Sequence, residues 1–356
     1  MAPRRRHAEL AAWALGLVVA LSACGPGGVV PLPTAPASAV PGGRAGDVSN
    51  SPPPQLHESI AGKIAFVRAG NIWVYEGSGA HQMTTVPGAA DPAWSPDGTV
   101  LAFDKQDKNS ADLYVMPYPQ GQPRPLSNNG NRVVENNLWE MQPDWSPDGL
   151  SLVYASDRGR LKTGTLDPAA WRVTLATGAR VQLNNANQYS GGIDFPRWRP
   201  NHRLELLYTS WTYDPQTLIP YGQLMLEDTQ TSQRQALTPA GESSLQPTWS
   251  PDGNHLVFVR QQPQRDDLWI MSVADSAVPS PSASAASQAA RPLLQGRMAH
   301  PAWAPDGRAI AYVGLTDGSL DLFVQALNTQ LEPAGAPTQL TSGLHVEAAS
   351  AISWGR

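Results

Sequence analysis

The sequence is poor in the residue patterns that support covalent or metal chemistry. It contains one cysteine, Cys24, so no disulfide can form within the chain. Its seven histidines are scattered and lack the His-Glu-x-x-His spacing of zinc hydrolases. No Gly-x-Ser-x-Gly motif, which carries the nucleophile of many serine hydrolases, is present. From these absences we predict no metal, no cofactor and no catalytic residue, and hence that the chain is not an enzyme.

The chain also lacks an excess of positive charge. Its 25 Lys and Arg residues are outnumbered by 30 Asp and Glu residues, which gives a formal net charge of −5. No basic patch stands out, so nucleic acid is not an expected partner. With 34 Pro, 31 Gly and 15% charged residues, the composition favours a globular β protein with many turns.

The apolar stretch near the N-terminus is too short to span a bilayer comfortably. The basic segment MAPRRRH is followed by LAAWALGLVVA and then by LSAC, which ends at Cys24. This order resembles a bacterial lipoprotein signal, in which Cys24 carries the lipid after residues 1–23 are removed. The resemblance implies an extracytoplasmic protein, anchored by its lipid to the cell membrane or the outer membrane. An ordinary signal peptide cleaved near Ala23 is the alternative.

Residues 24–58 follow the signal and are rich in Pro, Gly, Ala and Ser, without hydrophobic periodicity. Such a composition buries too little apolar surface to fold by itself. We interpret this segment as a tether between the lipid on Cys24 and the domain that follows.

The rest of the sequence repeats a short pattern. The stretch DPAWSPDGTVLAF, residues 91–103, indicates a hairpin, because Ser-Pro-Asp-Gly suits a tight turn between two short strands. Related stretches recur at a period near 50 residues, which is typical of repeat architectures. The Trp residues of the pattern are Trp94, Trp145, Trp198, Trp249, Trp303 and Trp354, with spacings of 51, 53, 51, 54 and 51.

Each repeat contains four predicted strands. In residues 92–127 they are PAWS, TVLAF, DLYVMPY and PRPLS, and four antiparallel strands in about 50 residues make one propeller blade. The pattern begins at KIAFVR without a first strand and ends at AISW, a first strand without a second. Pairing these two ends completes a sixth blade. We therefore predict an all-β, six-bladed β-propeller over residues 59–356, closed by a shared first and last blade, and a monomer.

The repeat, written PxWSPDGxxLxF…DLYVM, resembles the TolB-like (WD40-like) propeller repeat over about residues 60–356. Two blades depart from it, since Arg199 and Ala304 stand where the other repeats have Ser. TolB proper is a soluble periplasmic protein with an α/β domain before its propeller. Here the tether precedes the blades, so we do not expect a role in the Tol–Pal system.

Unequal loops predict a binding surface on one face of the propeller. The B–C connections (second to third strand) and the D–A connections (fourth strand to the next blade) lie opposite the Ser-Pro-Asp-Gly turns. Around the third and fourth blades these connections are long: 127–141, 155–170, 184–194 and 209–222. The candidate ligand-binding residues are the aromatic side chains Trp139, Tyr189, Trp211, Tyr213 and Tyr221, with Glu135, Glu140, Asp157 and Arg158 among them.

Aromatic rings amid polar groups are typical of peptide or sugar recognition. The alternative is that these rings pin long loops to the propeller. The sequence thus predicts a membrane-anchored binding or scaffold module for an envelope protein, a peptide or a glycan.

Two other functions remain open. One is a propeller enzyme, a lyase or glycosidase with its site at the channel mouth, for which paired acids such as Glu135 and Glu140 are candidates. Such an enzyme needs a buried acid pair with split pKa values in the channel. The other is a purely structural envelope lipoprotein.

The lipid assignment is tested by Cys24→Ser. We expect this variant to be released from membranes, or to remain as an uncleaved precursor, because no acyl chain then anchors it. The measurement is immunoblotting of membrane and soluble fractions, with wild type processed in parallel. Normal processing together with unchanged membrane retention would contradict the lipoprotein interpretation.

Overall fold

The computed structural model describes residues 60–77, 79–159, 167–184, 191–202, 204–274 and 290–356. Within them, 24 strands form six antiparallel four-stranded sheets, each of which is one blade of a β-propeller. The six-bladed, all-β architecture predicted from the repeat is confirmed. The predicted signal peptide and tether, residues 1–58, lie outside the described residues.

The strands of each blade are lettered A to D from the axis outward. Blade 1 contains β24 (Ser353–Gly355) as strand A, then β1 (Ile60–Arg68), β2 (Asn71–Gly77) and β3 (Gly79–Gln82). Blade 2 contains β4 (Ala89–Trp94), β5 (Val100–Gln106), β6 (Ala111–Pro117) and β7 (Arg124–Pro125). Blade 3 contains β8 (Glu140–Trp145), β9 (Ser151–Ser156), β10 (Ala169–Thr174) and β11 (Arg180–Gln182).

The remaining blades repeat this arrangement. Blade 4 contains β12 (Ile193–Trp198), β13 (Glu205–Tyr213), β14 (Pro220–Asp228) and β15 (Arg234–Ala236). Blade 5 contains β16 (Ser244–Trp249), β17 (His255–Gln262), β18 (Arg265–Ser272) and β19 (Arg291–Leu294). Blade 6 contains β20 (Met298–Trp303), β21 (Ala309–Thr316), β22 (Ser319–Ala326) and β23 (Thr338–Gln339).

The Ser-Pro-Asp-Gly turn between strands A and B is built by its own side chains. The Ser95 hydroxyl donates to Asp97 (2.6 Å) and accepts the Val100 N–H (2.9 Å). Asp97 also accepts the Thr99 N–H at 3.0 Å, and Gly98 takes the left-handed φ of 72° that the turn requires. The bonds from Ser95 and Thr99 hold the pKa of Asp97 below its ordinary value. The recurring Asp is therefore a structural group of the turn.

The recurring Trp of each strand A packs against the preceding blade. Trp303 of blade 6 lies in a cluster with Val257 and Leu268 of blade 5, and Trp94 of blade 2 contacts the cluster around Val74 of blade 1. The five Trp rings of blades 2 to 6 are only 5–7% exposed. Burying a ring of this size contributes about 5 kcal/mol, so the seams between blades hold the propeller together.

Strand A of blades 2 to 6 contains a bulge three residues before the Trp. The bulge residues, which we call the axial ring, are Asp91, Gln142, Phe195, Gln246 and His300, with φ of 48–57°. This left-handed conformation is uncommon for residues other than glycine. The rings of Phe195 and His300 contact each other at 5.4 Å although they belong to the non-adjacent blades 4 and 6. The residues of the axial ring therefore lie around the propeller axis.

Hydrogen bonds connect neighbouring blades at this level. The Phe195 N–H donates to the Gln142 side chain at 2.8 Å, and the Ala351 N–H donates to Asp91 at 2.7 Å. The first bond satisfies a backbone donor that the bulge of blade 4 removes from the regular ladder.

Blade 4 carries a hairpin longer than its neighbour in blade 3. Its strands β13 and β14 have nine residues each, whereas β9 and β10 have six. The register continues to the pair Tyr213–Pro220, which leaves a loop of only 214–219. The segment 209–222, which the sequence analysis treats as a long loop, is therefore mostly strand. Thr, Trp and Tyr favour strands, so pairing continues until the Asp214-Pro215 turn.

Candidate functional site

The hairpin of blade 4 extends beyond its neighbours on the face that carries the B–C and D–A connections. Strand β12 pairs with β13 only as far as Ser210, and β15 pairs with β14 only from Met225 onward. Asp214 builds the turn, because its Oδ1 accepts the N–H groups of Gln216 (2.9 Å) and Thr217 (2.7 Å). The hairpin end is thus a well-defined turn without ladder partners on its outer edges among the described strands.

Three apolar side chains are exposed at the end of this hairpin. Tyr213 is 46% exposed, Leu218 72% and Ile219 63%, and we call these three residues the apolar tip. Val133 and Val134, on the D–A connection that enters blade 3, are exposed on the same face at 50% and 38%. Grouped exposed apolar side chains commonly mark interaction sites.

Trp211 lies lower on the same hairpin, where it anchors the surrounding loops. Its indole N–H donates to Asp194 at 2.5 Å, and its ring packs against the buried cluster that includes Leu245. Gly191 passes so close to this side chain that a Cβ at that position would lie 3.2 Å from the Cβ of Trp211. These contacts favour the alternative that this ring pins a loop, and Tyr221 on β14 is likewise half-buried.

The predicted residues of blade 3 form a structural network. The Trp139 N–H donates to Asp157 at 2.8 Å, and Asp157 and Glu140 are 2% and 0% exposed. Glu140 accepts bonds from Arg158 Nη2 (2.8 Å) and Arg180 Nε (3.2 Å). A fully buried carboxylate between two guanidinium groups is not accessible to a substrate, so Glu140 cannot serve the glycosidase pair considered above.

Two predicted residues lie elsewhere. Glu135 is exposed in a single 3₁₀ turn, Val134–Asn136, and Tyr189 lies outside the described residues. The blade 3 network and the blade 4 hairpin meet through the connection between them, where the Gly191 N–H donates to Asp167 at 3.2 Å. The described candidates therefore occupy one sector of one face, but the accessible apolar surface is the apolar tip.

A pair of buried carboxyl groups lies near the axis in blade 2. Asp91 of the axial ring and Asp104 of β5 are 3% and 0% exposed, and their side chains are hydrogen-bonded to each other. Asp104 also accepts the Gln142 N–H at 2.9 Å. Burial raises the pKa of Asp91 to about 6, and burial with the neighbouring Asp91 charge raises the pKa of Asp104 well above its ordinary value. Burial thus favours the protonated form of both carboxyl groups relative to exposed aspartates.

Two further polar side chains lie at the axis. His300 is 3% exposed, and burial lowers its pKa to about 3, so the imidazole is neutral at physiological pH. Its Nε2 lies 2.9 Å from the Ala348 carbonyl oxygen. Arg197 lowers the pKa of Asp91 through its charge, and its Nη1 lies 4.0 Å from Asp144. Charged and polar side chains therefore lie near the axis together with the Phe195 ring.

The acid pair is not among the site residues predicted from the sequence, although part of its signal is present there. The residue before Pro in the Pro-x-Trp motif is polar in four of the five repeats, as Asp91, Gln142, Gln246 and His300. A polar residue that recurs in an apolar strand indicates a buried hydrogen-bond partner. The partner Asp104 is brought beside it only by the pairing of β4 with β5, in which Asp104 faces Ala90.

Within the described residues, no group of three His, Cys, Asp or Glu side chains is arranged to hold a metal ion. The same part of the chain contains no helix with the length and apolarity that crossing a membrane requires.

The propeller is similar to solved TolB structures. TolB from Acinetobacter baumannii superimposes with a TM-score of 0.60 at 16% identity, over 83% of this chain and 66% of that one. A TolB from Agrobacterium tumefaciens gives a TM-score of 0.51 at 17% identity, over 69% of this chain and 83% of that one. The fold is that of the TolB propeller. At these identities the likeness concerns the fold alone.

Sequence comparison corrects one prediction. An uncharacterized peptidase of Bacillus subtilis, YuxL, is 27% identical over 203 residues, which is 55% of this chain and 26% of that protein. No family model matches. The prediction that the chain is not an enzyme is wrong in the light of this relative's name. It rested on missing catalytic motifs, and motifs do not report whether a propeller works within an enzyme. The chain spans about a quarter of that relative's length.

The acid pair makes the stability of the propeller depend on pH. The folded pKa of Asp91, about 6, lies above its ordinary value of 3.8, so the folded state holds more protons between these values. Stability is then fully present at low pH and is lost as the pH rises through the folded pKa. Asp104→Asn keeps an acceptor for the Gln142 N–H and removes the repulsion. We expect the unfolding free energy of wild type to fall between pH 5 and pH 8 by about 1–3 kcal/mol more than that of Asp104→Asn.

The measurement is urea denaturation at both pH values. Asp97→Asn is the matched control, because bonds in its exposed turn lower rather than raise the Asp97 pKa. The unfolding free energy of Asp97→Asn should be lower than that of wild type by about the same amount at pH 5 and at pH 8. Identical pH dependence of wild type and Asp104→Asn would contradict the raised pKa values of the pair.

Proposed function

We propose that this propeller is the peptide-binding part of an extracytoplasmic peptidase that is anchored to a membrane through Cys24. The observation that carries the proposal is the apolar tip, Tyr213, Leu218 and Ile219, exposed at the end of a hairpin that is paired up to Tyr213 and Pro220. Exposing these side chains in water without a partner is unfavourable, so a ligand that covers them gains free energy.

An extended peptide fits this surface for two reasons. Beyond Trp211, whose N–H donates to the Gly192 carbonyl at 3.0 Å, the edge of β13 has no ladder partner among the described strands, so a peptide can add beside Tyr213 through main-chain hydrogen bonds. Apolar side chains of the peptide can then cover Leu218 and Ile219. Full burial of each is worth about 1.5–3 kcal/mol.

The peptidase part of the proposal is supported by the name of the Bacillus subtilis relative. The extracytoplasmic location is supported by the lipoprotein-like sequence that ends at Cys24. The proposal assigns substrate binding to the hairpin. It does not assign bond cleavage to Asp91 and Asp104, because both are buried and already accept backbone N–H groups.

The test is binding of fluorescein-labelled unfolded casein to the full-length protein in detergent, followed by fluorescence anisotropy. A Leu218→Ser, Ile219→Ser double variant should bind at least about tenfold more weakly, since about 1.4 kcal/mol corresponds to a factor of ten. Its melting temperature should stay close to wild type, because both residues are exposed. Release of acid-soluble fluorescein by hydrolysis should fall in parallel.

Leu150→Ser is the matched control. Leu150 is 64% exposed, and it follows the Ser-Pro-Asp-Gly turn of blade 3 on the opposite face. Casein binding should be unchanged in this variant. Equal binding by wild type and the double variant, or no binding and no hydrolysis of casein by wild type, would overturn the proposal.

A further inference from the structure

The recurring Trp at the seam between blades 6 and 1 is more accessible than its equivalents. Trp354 is half-buried, whereas the Trp rings of the other five seams, all within the described residues, are 5–7% exposed. Trp354 lies in the wall of a cleft of about 570 Å³, which is within the range of small-molecule sites. The turn residues Pro305 and Asp306 also line this cleft, so it opens on the face of the Ser-Pro-Asp-Gly turns.

Small side chains leave this ring uncovered. In the seam between blades 1 and 2, Lys63 of strand B places its Nζ 4.8 Å from the centre of the Trp94 ring. Ala309 takes the equivalent position in blade 6, one residue before the partner of the strand A Trp. Arg199 follows the Trp of blade 4 and lies over the next ring in a similar way, but Ala304 stands at this position in blade 6. Two methyl groups cover less of an indole than these long side chains do.

Ala304 also removes a hydroxyl group that the other turns use. In blades 2, 3 and 5 the Ser after the Trp accepts the N–H of the residue five positions later, as Ser95 accepts that of Val100 at 2.9 Å. The equivalent donor in blade 6 is the Ala309 N–H, and Ala304 has no oxygen to accept it.

The strands around Ala309 do not satisfy this donor either. The Leu327 N–H donates to the Arg308 carbonyl at 2.8 Å, so the next pair of the ladder, Ala309 and Ala326, is not a hydrogen-bonded pair. On the side of strand A, the Ala309 carbonyl accepts the Ala304 N–H at 2.9 Å, but the Ala309 N–H has no partner among the described residues. A backbone donor left in this state is stabilised by an acceptor that comes from outside.

Asp306 lacks the same hydroxyl group as a donor. In blades 2, 3 and 5 the Ser hydroxyl that accepts the backbone N–H also donates to the turn Asp, at 2.5–2.6 Å. Asp306 keeps the bond from the Arg308 N–H at 2.9 Å but has no Ser to donate to it. The turn of blade 6 thus presents a backbone donor and a carboxylate acceptor placed to bind one hydroxyl group, which can accept and donate at once.

The rest of the cleft suits a ring that has an apolar face and polar edges. Arg308 and Arg356 line the cleft and are exposed, so their guanidinium groups can donate to further hydroxyl groups. Trp354 offers an aromatic surface to the C–H groups of a ligand. The other wall residues are mostly apolar and include Val324, Ala326, Ala334, Ala336 and Leu340.

We propose that the cleft between blades 6 and 1 binds a pyranose sugar, either free or as a unit of a glycan. The apolar face of the sugar ring lies against Trp354, and one hydroxyl group accepts the Ala309 N–H and donates to Asp306. The oxygen of this hydroxyl contacts the Ala304 methyl group without being bonded to it, so it lies farther into the cleft than a Ser Oγ would. The site goes beyond the proposed function, because it takes another class of ligand on the face opposite the apolar tip.

The test is isothermal titration of the full-length protein in lauryldimethylamine oxide, a detergent without a sugar headgroup. The probes are the methyl β-pyranosides of glucose, galactose, N-acetylglucosamine and glucuronic acid. At least one of them should bind, and tetrahydropyran, which has the ring but no hydroxyl group, should bind at least tenfold more weakly. Tighter binding of the β-1,4-linked dimer than of the monomer identifies a glycan as the source, and equal or weaker binding identifies the free sugar. Binding of none of the four glycosides overturns the proposal, as does equal binding of tetrahydropyran.

A variant supplies the missing hydroxyl group from within. Ala304→Ser recreates the turn of blades 2, 3 and 5, so the protein should keep its melting temperature or gain stability while its affinity for the sugar falls at least tenfold. Ser146→Ala is the matched control, because it removes the equivalent hydroxyl group in blade 3 and should leave the affinity unchanged. A folded Ala304→Ser protein that binds the sugar like wild type contradicts the proposal. These probes do not test the hairpin, so casein binding can fail or persist independently.

Discussion

The closing pair of strands, β24 and β1, is the constraint on which the rest of the propeller depends. Their antiparallel register matches Ile64 with Trp354. In every blade the Trp of strand A packs against the preceding blade. The ring of blades is therefore closed only when Trp354 packs between blade 6 and blade 1. The buried cluster at this seam joins Val313 and Leu322 of blade 6 to Phe66 of blade 1. Without β24 this apolar surface would face water.

The closing segment also forms hydrogen bonds near the propeller axis. The Asp91 N–H donates to the Ser350 hydroxyl oxygen at 2.8 Å, and the Trp94 N–H donates to the Ser353 hydroxyl oxygen at 3.0 Å. The segment that closes the ring therefore bonds to blade 2 as well as to blade 1. It also satisfies Asp91, whose partner Asp104 bonds to blade 3 through the Gln142 N–H. The pair Asp91 and Asp104 is thus at the centre of the contacts among three blades.

A closed ring presents two faces with different chemistry. On one face the hairpin of blade 4 exposes Leu218 and Ile219, which suit an apolar peptide. On the other face Arg199 fills the cleft between blades 4 and 5, where its guanidinium lies over Trp249.

The sequence predicts the blades because Trp and the Ser-Pro-Asp-Gly turn act locally, through packing and hydrogen bonds within a few residues. It predicts closure because the pattern begins with strand B and ends with strand A. What it does not reveal depends on contacts between distant segments. Glu140 looks like a surface acid until Arg180, 40 residues away, is found to pair with it.

The same limit applies to the axis and to blade 4. Asp104 lies in an ordinary strand pattern, and only the register with β4 brings it to Asp91. In the sequence Arg199 is only a departure from the Ser of the motif. The structure shows that its guanidinium lies over Trp249 of the next blade. The accessible residues Leu218 and Ile219 were not among the predicted ligand-binding residues, because the analysis of the loops favoured aromatic rings.

Deletion of residues 349–356 tests the central claim, that the ring is closed by β24, most directly. The deletion removes Trp354 and the partners of Ile64 and Asp91, against a net domain stability of roughly 5–15 kcal/mol. The account predicts that the truncated protein loses cooperative thermal unfolding or melts far below the full-length protein, as measured by calorimetry and circular dichroism. A truncated protein that remains monomeric and melts within a degree or two of the full-length protein would contradict closure by the shared blade.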